Sequence, residues 1–147
     1  DENRLKLAKE LGATHTVSPA SGDVFKQVFA IVGDDGVDCA IEAVGIPATW
    51  NMCQDIVKPG GHIAVVGVHG QSVDFKLEKL WIKNLAITTG LVNANTTEML
   101  MKAISSSSVD YTKMLTHRFK FSELEKAYDV FKHAAENQAM KVVLEAD

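Results

Sequence analysis

Three apolar runs of this chain end in glycine: "EAVG" at Gly45, "VVGVHG" around Gly67 and "TTG" at Gly90. Glycine at a strand end lets another group approach the main chain, because no Cβ stands in the way. In an open parallel sheet, ligands bind outside the carboxyl ends of the strands. Three such ends side by side would make a floor of backbone and small side chains, suited to a flat, mostly apolar ligand. The same glycines would equally serve to finish strands with tight turns, and the pattern by itself leaves both readings open.

Other reactive side chains are scattered. Cys39 falls in an apolar strand-like run and Cys53 in a helix-like one, so both read as buried free thiols rather than a disulfide or a metal pair. His15, His62, His117 and His133 read as structural or exposed, and no metal-ligand motif is present. No catalytic residue and no metal ligand is assigned.

The elements that must position the glycine ends alternate along the chain. The segment "DENRLKLAKELG" opens inside a helix pattern, with Leu5, Ala8 and Leu11 or Gly12 at helical spacing, so a preceding partner strand is expected. A short strand is predicted in "THTVSP". A helix follows in "SGDVFKQVFAIVG", capped by Ser21 or Asp23, with Val24, Phe25, Val28, Phe29, Ile31 and Val32 on one face. Next come the strand "GVDCAIEAVG", a helix opened by Pro47 that buries Trp50, Cys53 and Ile56 or Val57, and the strand "GHIAVVGV". A short helix "LEKLWIKN" leads to the strand "LAITTGLV". This rhythm predicts a parallel α/β sheet with helices on its faces.

The last third changes character. "NTTEMLMKAISS" reads as a helix with a capping box of Asn95 and Glu98, and the serine run Ser105 to Ser108 as a loop or hinge. "KMLTHRFKF" alternates like a strand. "SELEKAYDVFKHAAEN" reads as a helix with a second capping box, Ser122 and Glu125, burying Leu124, Ala127, Tyr128 and Phe131; "KVVLEA" closes as a strand. Trp50, Trp81, Phe119 and Tyr128 read as core or interface packing.

Composition excludes several classes. With 147 residues, 46% of them hydrophobic and 23% charged, the chain suits one globular domain. Its net charge of -4 and pI near 5.7, without a basic cluster, argue against nucleic acid and anionic membranes as partners. No apolar run reaches the roughly 18 residues that span a bilayer, so a cytoplasmic location is expected.

Four segments in series, "DENRLKLAKELGATHTV", "VDCAIEAVG", "VKPGGHIAVVGVHG" and "THRFKFSELEKAYDVF" with "KVVLEAD", resemble the carboxyl-terminal portion of the zinc-dependent alcohol dehydrogenases of the medium-chain dehydrogenase/reductase superfamily. "KPGG" before a strand also occurs in methyltransferases; the series does not. The resemblance implies a partial Rossmann doubly wound parallel sheet with a carboxyl-terminal strand-helix-strand segment. Residues 1–112 would form a dinucleotide-binding domain without its first βαβ unit, and residues 113–147 a segment that in relatives completes the catalytic domain. The family's Gly-rich turn is missing, since the sequence holds no G-x-G, and so are its zinc ligands, since neither Cys39 nor Cys53 sits in the family's ligand motifs.

The resemblance also implies site residues. Arg4 would lie beside the adenosine ribose, whose acidic partner would precede Asp1. Val44 and Gly45 would flank the adenine side of the cleft, and Val66, Gly67 and Val68 the nicotinamide and its ribose. Thr89, Gly90 and Leu91 would bind the carboxamide through their main chain, Lys141 would reach the pyrophosphate, and His69 would sit at the cleft mouth. The implied function is hydride transfer between a small alcohol or carbonyl compound and NAD or NADP, with zinc supplied by the missing part and a homo-oligomer as the working form. The chain alone is expected to be inactive; a stand-alone nucleotide-binding or interaction module is the alternative.

Overall fold

The computed structural model describes residues 1–92 and 94–147. In chain order it forms α1 (Glu2–Glu10), α2 (Val24–Val32), β1 (Val37–Glu42), α3 (Pro47–Ile56), β2 (Val57–Val65), α4 (Leu77–Leu80), β3 (Ala86–Thr89), α5 (Thr97–Ser106), β4 (Leu115–Lys120), α6 (Leu124–Lys132) and β5 (Lys141–Glu145). Two compact units result, one of residues 17–94 and one of residues 1–16 with 95–147. No helix among the described residues is long and apolar enough to cross a membrane.

Residues 17–94 are built around a parallel sheet in the order β1-β2-β3. Its strands alternate, so one face carries Ala40 and Ile63, which pack with Trp50, Cys53 and Val57 into the core. Helix α3 covers this face because Trp50 and Cys53 fall one helical turn apart. Burial pushes the Cys53 thiol up, which keeps it a packing residue. The opposite face displays Cys39, Ile41 and His62, all exposed.

Helix ends and loops are tied by polar groups. Asp23 caps α2 by accepting from the Phe25 and Lys26 amides. Gln54, wholly buried in α3, donates to the Asp74 carbonyl at 3.0 Å and accepts from the Lys76 amide at 2.9 Å. Trp50 Nε1 donates to the same Asp74 carbonyl at 2.7 Å, so two side chains of α3 hold the loop that follows β2. Lys83 Nζ donates to the Val57 carbonyl at 2.8 Å, placing a cation at the carboxyl end of α3.

In the second unit β4 and β5 pair in parallel, joined by α6, as the strand-helix-strand reading expects. Asp1 caps α1 by accepting from the Asn3 and Arg4 amides, and Glu10 pairs with Lys113 at 3.6 Å.

Several expectations need correction. "THTVSP" forms no strand: among the described residues both ladders are made by other segments, and a strand without a neighbour has no hydrogen bonds to hold it. Only one face of the three-stranded sheet is covered, so Cys39 is exposed rather than buried. Neither capping box forms at the expected place. Helix α5 has Thr96 at its N-cap, and Ser122 gives its amide and hydroxyl to Asp147 instead, at 3.1 and 2.8 Å. Ser105 and Ser106 belong to the last turn of α5, their hydroxyls bonded to the Met101 and Ala103 carbonyls, so the loop starts at Ser107. Tyr128 and Phe131 are exposed rather than buried on α6.

Gln54→Met leaves the Lys76 amide and the Asp74 carbonyl short of a partner each. We expect it to lower the free energy of unfolding by about 2–4 kcal/mol, read as a lower urea midpoint at unchanged slope; a midpoint equal to that of the parent chain contradicts the structural role given to Gln54.

Candidate functional site

The strand register gathers the glycine ends at one edge. Glu42 pairs with Val65 and Val65 with Thr89, so the turns at 43–45, 66–70 and 90–92 all leave the sheet from the same carboxyl edge. Each of the three strands is held at that point by its neighbour, and the turns inherit this fixed spacing.

At the edge lies a buried charge. Glu42 is only 1% exposed, although it sits among apolar residues of β1. Its Oε1 accepts from the Val44 amide at 2.9 Å, the Gly45 amide at 2.9 Å and the Thr49 hydroxyl at 2.6 Å. Its Oε2 accepts from the Gly45 amide at 3.1 Å and faces His69 Nε2 at 3.1 Å. Burial by itself would push the carboxyl group up, but the Thr49 hydroxyl, the Gly45 and Val44 amides and the His69 ring favour the charged form and bring it down to about 2. The Glu42 carbonyl meanwhile accepts from the Val66 amide at 2.8 Å and the Gly67 amide at 3.0 Å. One residue thus fastens the turn after its own strand, the first turn of α3, and the turn after β2.

The two turns also interlock sterically. A Cβ on Gly67 would strike Glu42 Oε2 and the Gly45 backbone, its Cα at 2.9 Å. A Cβ on Gly45 would meet the Val68 backbone, with the amide nitrogen at 2.9 Å, and Gly45 sits at φ +89°, where side chains are strained. What comes close to the backbone of Gly67 is therefore the chain itself. Gly90 differs: a Cβ there would meet open space.

Around this interlock the other expected residues present free surface. Val44 and Val66 are more than half exposed, Thr89 and Gly90 are exposed, and Val68 and Leu91 stand out at 86% and 91%. The edge so formed, apolar side chains over open main chain in a parallel sheet, fits the flat rings of a nucleotide cofactor. The structure brings together Val44, Gly45, Val66, Gly67, Val68 and Thr89 with its two followers. Arg4 and Lys141 belong to the other unit. Arg4 lies on α1 with its Nε 3.4 Å from Asp1, and Lys141 begins β5 beside a recess of about 270 Å³ lined also by Tyr128, Phe131 and Leu144. Among the described residues no group of three or more His, Cys, Asp or Glu side chains could hold a metal ion. A catalytic zinc therefore does not fit the described residues.

Glu42, Thr49 and His69 form the polar centre of the edge, and sequence reasoning singled out only His69. The signal for Glu42 was a carboxylate following the apolar run Cys39 to Ile41, at the last position of the strand and alternating inward with Ala40. One feature of the centre is unsatisfied. Among the described residues His69 Nδ1 is buried with no hydrogen-bond partner, a state that costs about 1–3 kcal/mol.

The Glu42 carboxyl has an ordinary value of 4.5 and is held near 2 in the folded chain. Between those values the unfolded chain binds the extra proton, so Glu42 stabilises the fold fully above pH 4.5 and its contribution is lost as pH falls towards 2. Glu42→Gln has no such titration and turns an NH₂ towards donors, so it lowers stability at pH 7 by about 2–4 kcal/mol and flattens the acid limb. Parallel acid limbs for the two chains, in urea melts at stepped pH, contradict this.

Comparison with known proteins agrees with this architecture. Residues 1–106 match the family model described as zinc-binding dehydrogenase. An alcohol dehydrogenase from Cupriavidus necator is 30% identical over 135 residues, covering 89% of this chain and 37% of that protein. The solved structure of zinc dependent alcohol dehydrogenase 2 from Streptococcus pneumonia, in apo form, is 49% identical with a TM-score of 0.91, and covers 100% of this chain and 43% of its own. A zinc-binding dehydrogenase from Sinorhizobium meliloti 1021, solved bound to NADP, is 27% identical with a TM-score of 0.84, covering 99% of this chain and 43% of its own. The chain thus spans about two fifths of the relatives it matches, and its fold is that of their Rossmann-like cofactor-binding part. On the family match and these likenesses together, the chain belongs to the zinc-binding dehydrogenases.

Proposed function

We propose that this chain is the cofactor-binding part of an NAD(P)-dependent zinc alcohol dehydrogenase and supplies the wall against which the dinucleotide lies. The observation that carries the reading is the common carboxyl edge of three parallel strands, where Glu42, Val65 and Thr89 stand in register and the turns after them expose main chain and small apolar groups. The NADP-bound Sinorhizobium relative supports the cofactor class.

In this reading Val44 and Gly45 flank the adenine side, Val66, Gly67 and Val68 the nicotinamide side, and the main chain of Thr89, Gly90 and Leu91 takes the carboxamide. Arg4 serves the adenosine ribose and Lys141 the pyrophosphate, where a cation is matched to phosphate charge. When bound, NAD(P) would supply hydride chemistry at an alcohol carbon, and the residues named above would hold its rings and phosphates. The chain's own residues orient the ring and exclude water from one of its faces: Val66 and Val68 by apolar cover, the interlocked Gly45 and Gly67 by holding those side chains at fixed height.

Residues 1–112 form the incomplete dinucleotide domain and residues 113–147 the segment that completes a catalytic domain outside this chain. The working protein is a cytoplasmic homo-oligomer. Support for association comes from β3, a terminal strand of its sheet, with the exposed Trp81, Ile82, Leu91 and Val92 on either side of it in sequence.

Titration of the 147-residue chain with NADH and with NADPH, followed by nucleotide fluorescence, is expected to give saturable binding of at least one of them without turnover of any alcohol. Absence of binding by both removes the cofactor reading; zinc-dependent turnover by this chain removes the assignment of catalysis to residues outside it.

A further inference from the structure

We propose that Glu42 is a positioning residue for the dinucleotide: without touching the cofactor, it sets the place of the nicotinamide-side turn, residues 66–70, relative to the adenine-side turn, residues 43–45. The inference rests on the cofactor reading above.

In that reading one ligand lies across two loops, Val44 and Gly45 after β1 and Val66 to Val68 after β2. A joined ligand gains over its separate halves only where the two subsites stand at a spacing matched to it. Some group must therefore hold that spacing. Glu42 is 1% exposed, so nothing lying on the edge reaches its carboxylate, yet the carboxylate ends on both loops. Oε1 accepts from the Val44 and Gly45 amides, each at 2.9 Å, and Oε2 faces His69 Nε2 at 3.1 Å. A charged carboxylate can only accept, so the hydrogen of this contact is on the ring nitrogen, whether the ring is neutral or protonated. The main-chain carbonyl of Glu42 pins the start of the second loop through the Val66 and Gly67 amides. Val68 is thus bracketed, with Gly67 before it tied to the Glu42 main chain and His69 after it tied to the Glu42 side chain, while its own backbone lies against Gly45. At 86% exposure its side chain has little packing to fix its height above the sheet. Its position is inherited from those ties.

Three variants separate positioning from a purely structural role. Glu42→Gln keeps an oxygen for the Val44 and Gly45 amides and places an NH₂ opposite His69, which cuts the side-chain tie to the second loop. His69→Leu cuts the same tie from the other end and leaves the bonds of the first loop in place. His69→Gln keeps an amide hydrogen for Oε2. The probes are NADH and ADP-ribose, which lacks the nicotinamide ring, or NADPH and 2′-phospho-ADP-ribose where the parent chain takes up the phosphorylated cofactor; affinities are corrected for the folded fraction. We expect Glu42→Gln and His69→Leu to weaken the dinucleotide about tenfold and the ring-less probe less than about twofold, with His69→Gln close to the parent. Equal weakening of both probes overturns the proposal, because loss of the fold or of the first loop lowers them together. Parent-like dinucleotide affinity in His69→Leu also overturns it, and decides alone where Glu42→Gln does not fold; so does His69→Gln binding as weakly as His69→Leu. Each of these results leaves the cofactor reading intact. A parent chain that takes up neither NADH nor NADPH overturns both.

Discussion

A carboxylate taken out of water must be fully satisfied, and the arrangement of this sheet edge follows from that requirement at Glu42. Burial raises the cost of its charge, so the chain must deliver donors to both oxygens at once. It does so by bending residues 43–45 back over the strand, by setting Thr49 on the first turn of α3, and by turning His69 inward after β2. Each donor comes from a different local element, which makes their mutual positions a consequence of one charge. The side chains of Val44, Val66 and Val68 are thereby left on the outer side of these turns, exposed at a fixed edge.

The interlock of Gly45 and Gly67 is the steric counterpart of the same constraint. With amides crowded round Glu42, no space remains for a Cβ at either position. A glycine pattern that invites a ligand explanation thus has an internal one, while the open space over Gly90 keeps a surface available beside it. The two explanations are compatible: the turns pack against each other inside and present main chain outside. The sheet itself is covered on one face by α3, and the exposed Cys39, Ile41 and His62 show where its opposite face lacks such cover. In a protein that spans about two fifths of its relatives, open apolar surface of this kind accords with a part of a larger molecule.

Much of the fold was legible in the residues. Apolar runs ending in glycine gave the three parallel strands, Pro47 marked the start of α3, and the alternation in "THRFKF" and "KVVLE" marked the second sheet. Several of the failures share a cause, because each depended on packing or on a partner distant in the chain. "THTVSP" has strand composition but finds no neighbour strand, and Ser122 has cap chemistry but is taken by Asp147, 25 residues away. Glu42 was passed over because its partner His69 is 27 residues on, and local pattern cannot tell a buried carboxylate from an edge one. Tyr128 and Phe131 follow helical spacing towards a face that no described element covers fully, so periodicity predicted burial that the packing does not provide.

We propose that the edge bounded by Glu42, Val65 and Thr89 receives the dinucleotide. Backbone amide chemical-shift mapping of the labelled chain with NAD⁺ tests it most directly. The largest movements are expected on Val44, Gly45, the segment from Val66 to His69, and Thr89 to Leu91. Movements confined to other surfaces, such as the recess beside Tyr128 and Phe131, would contradict it.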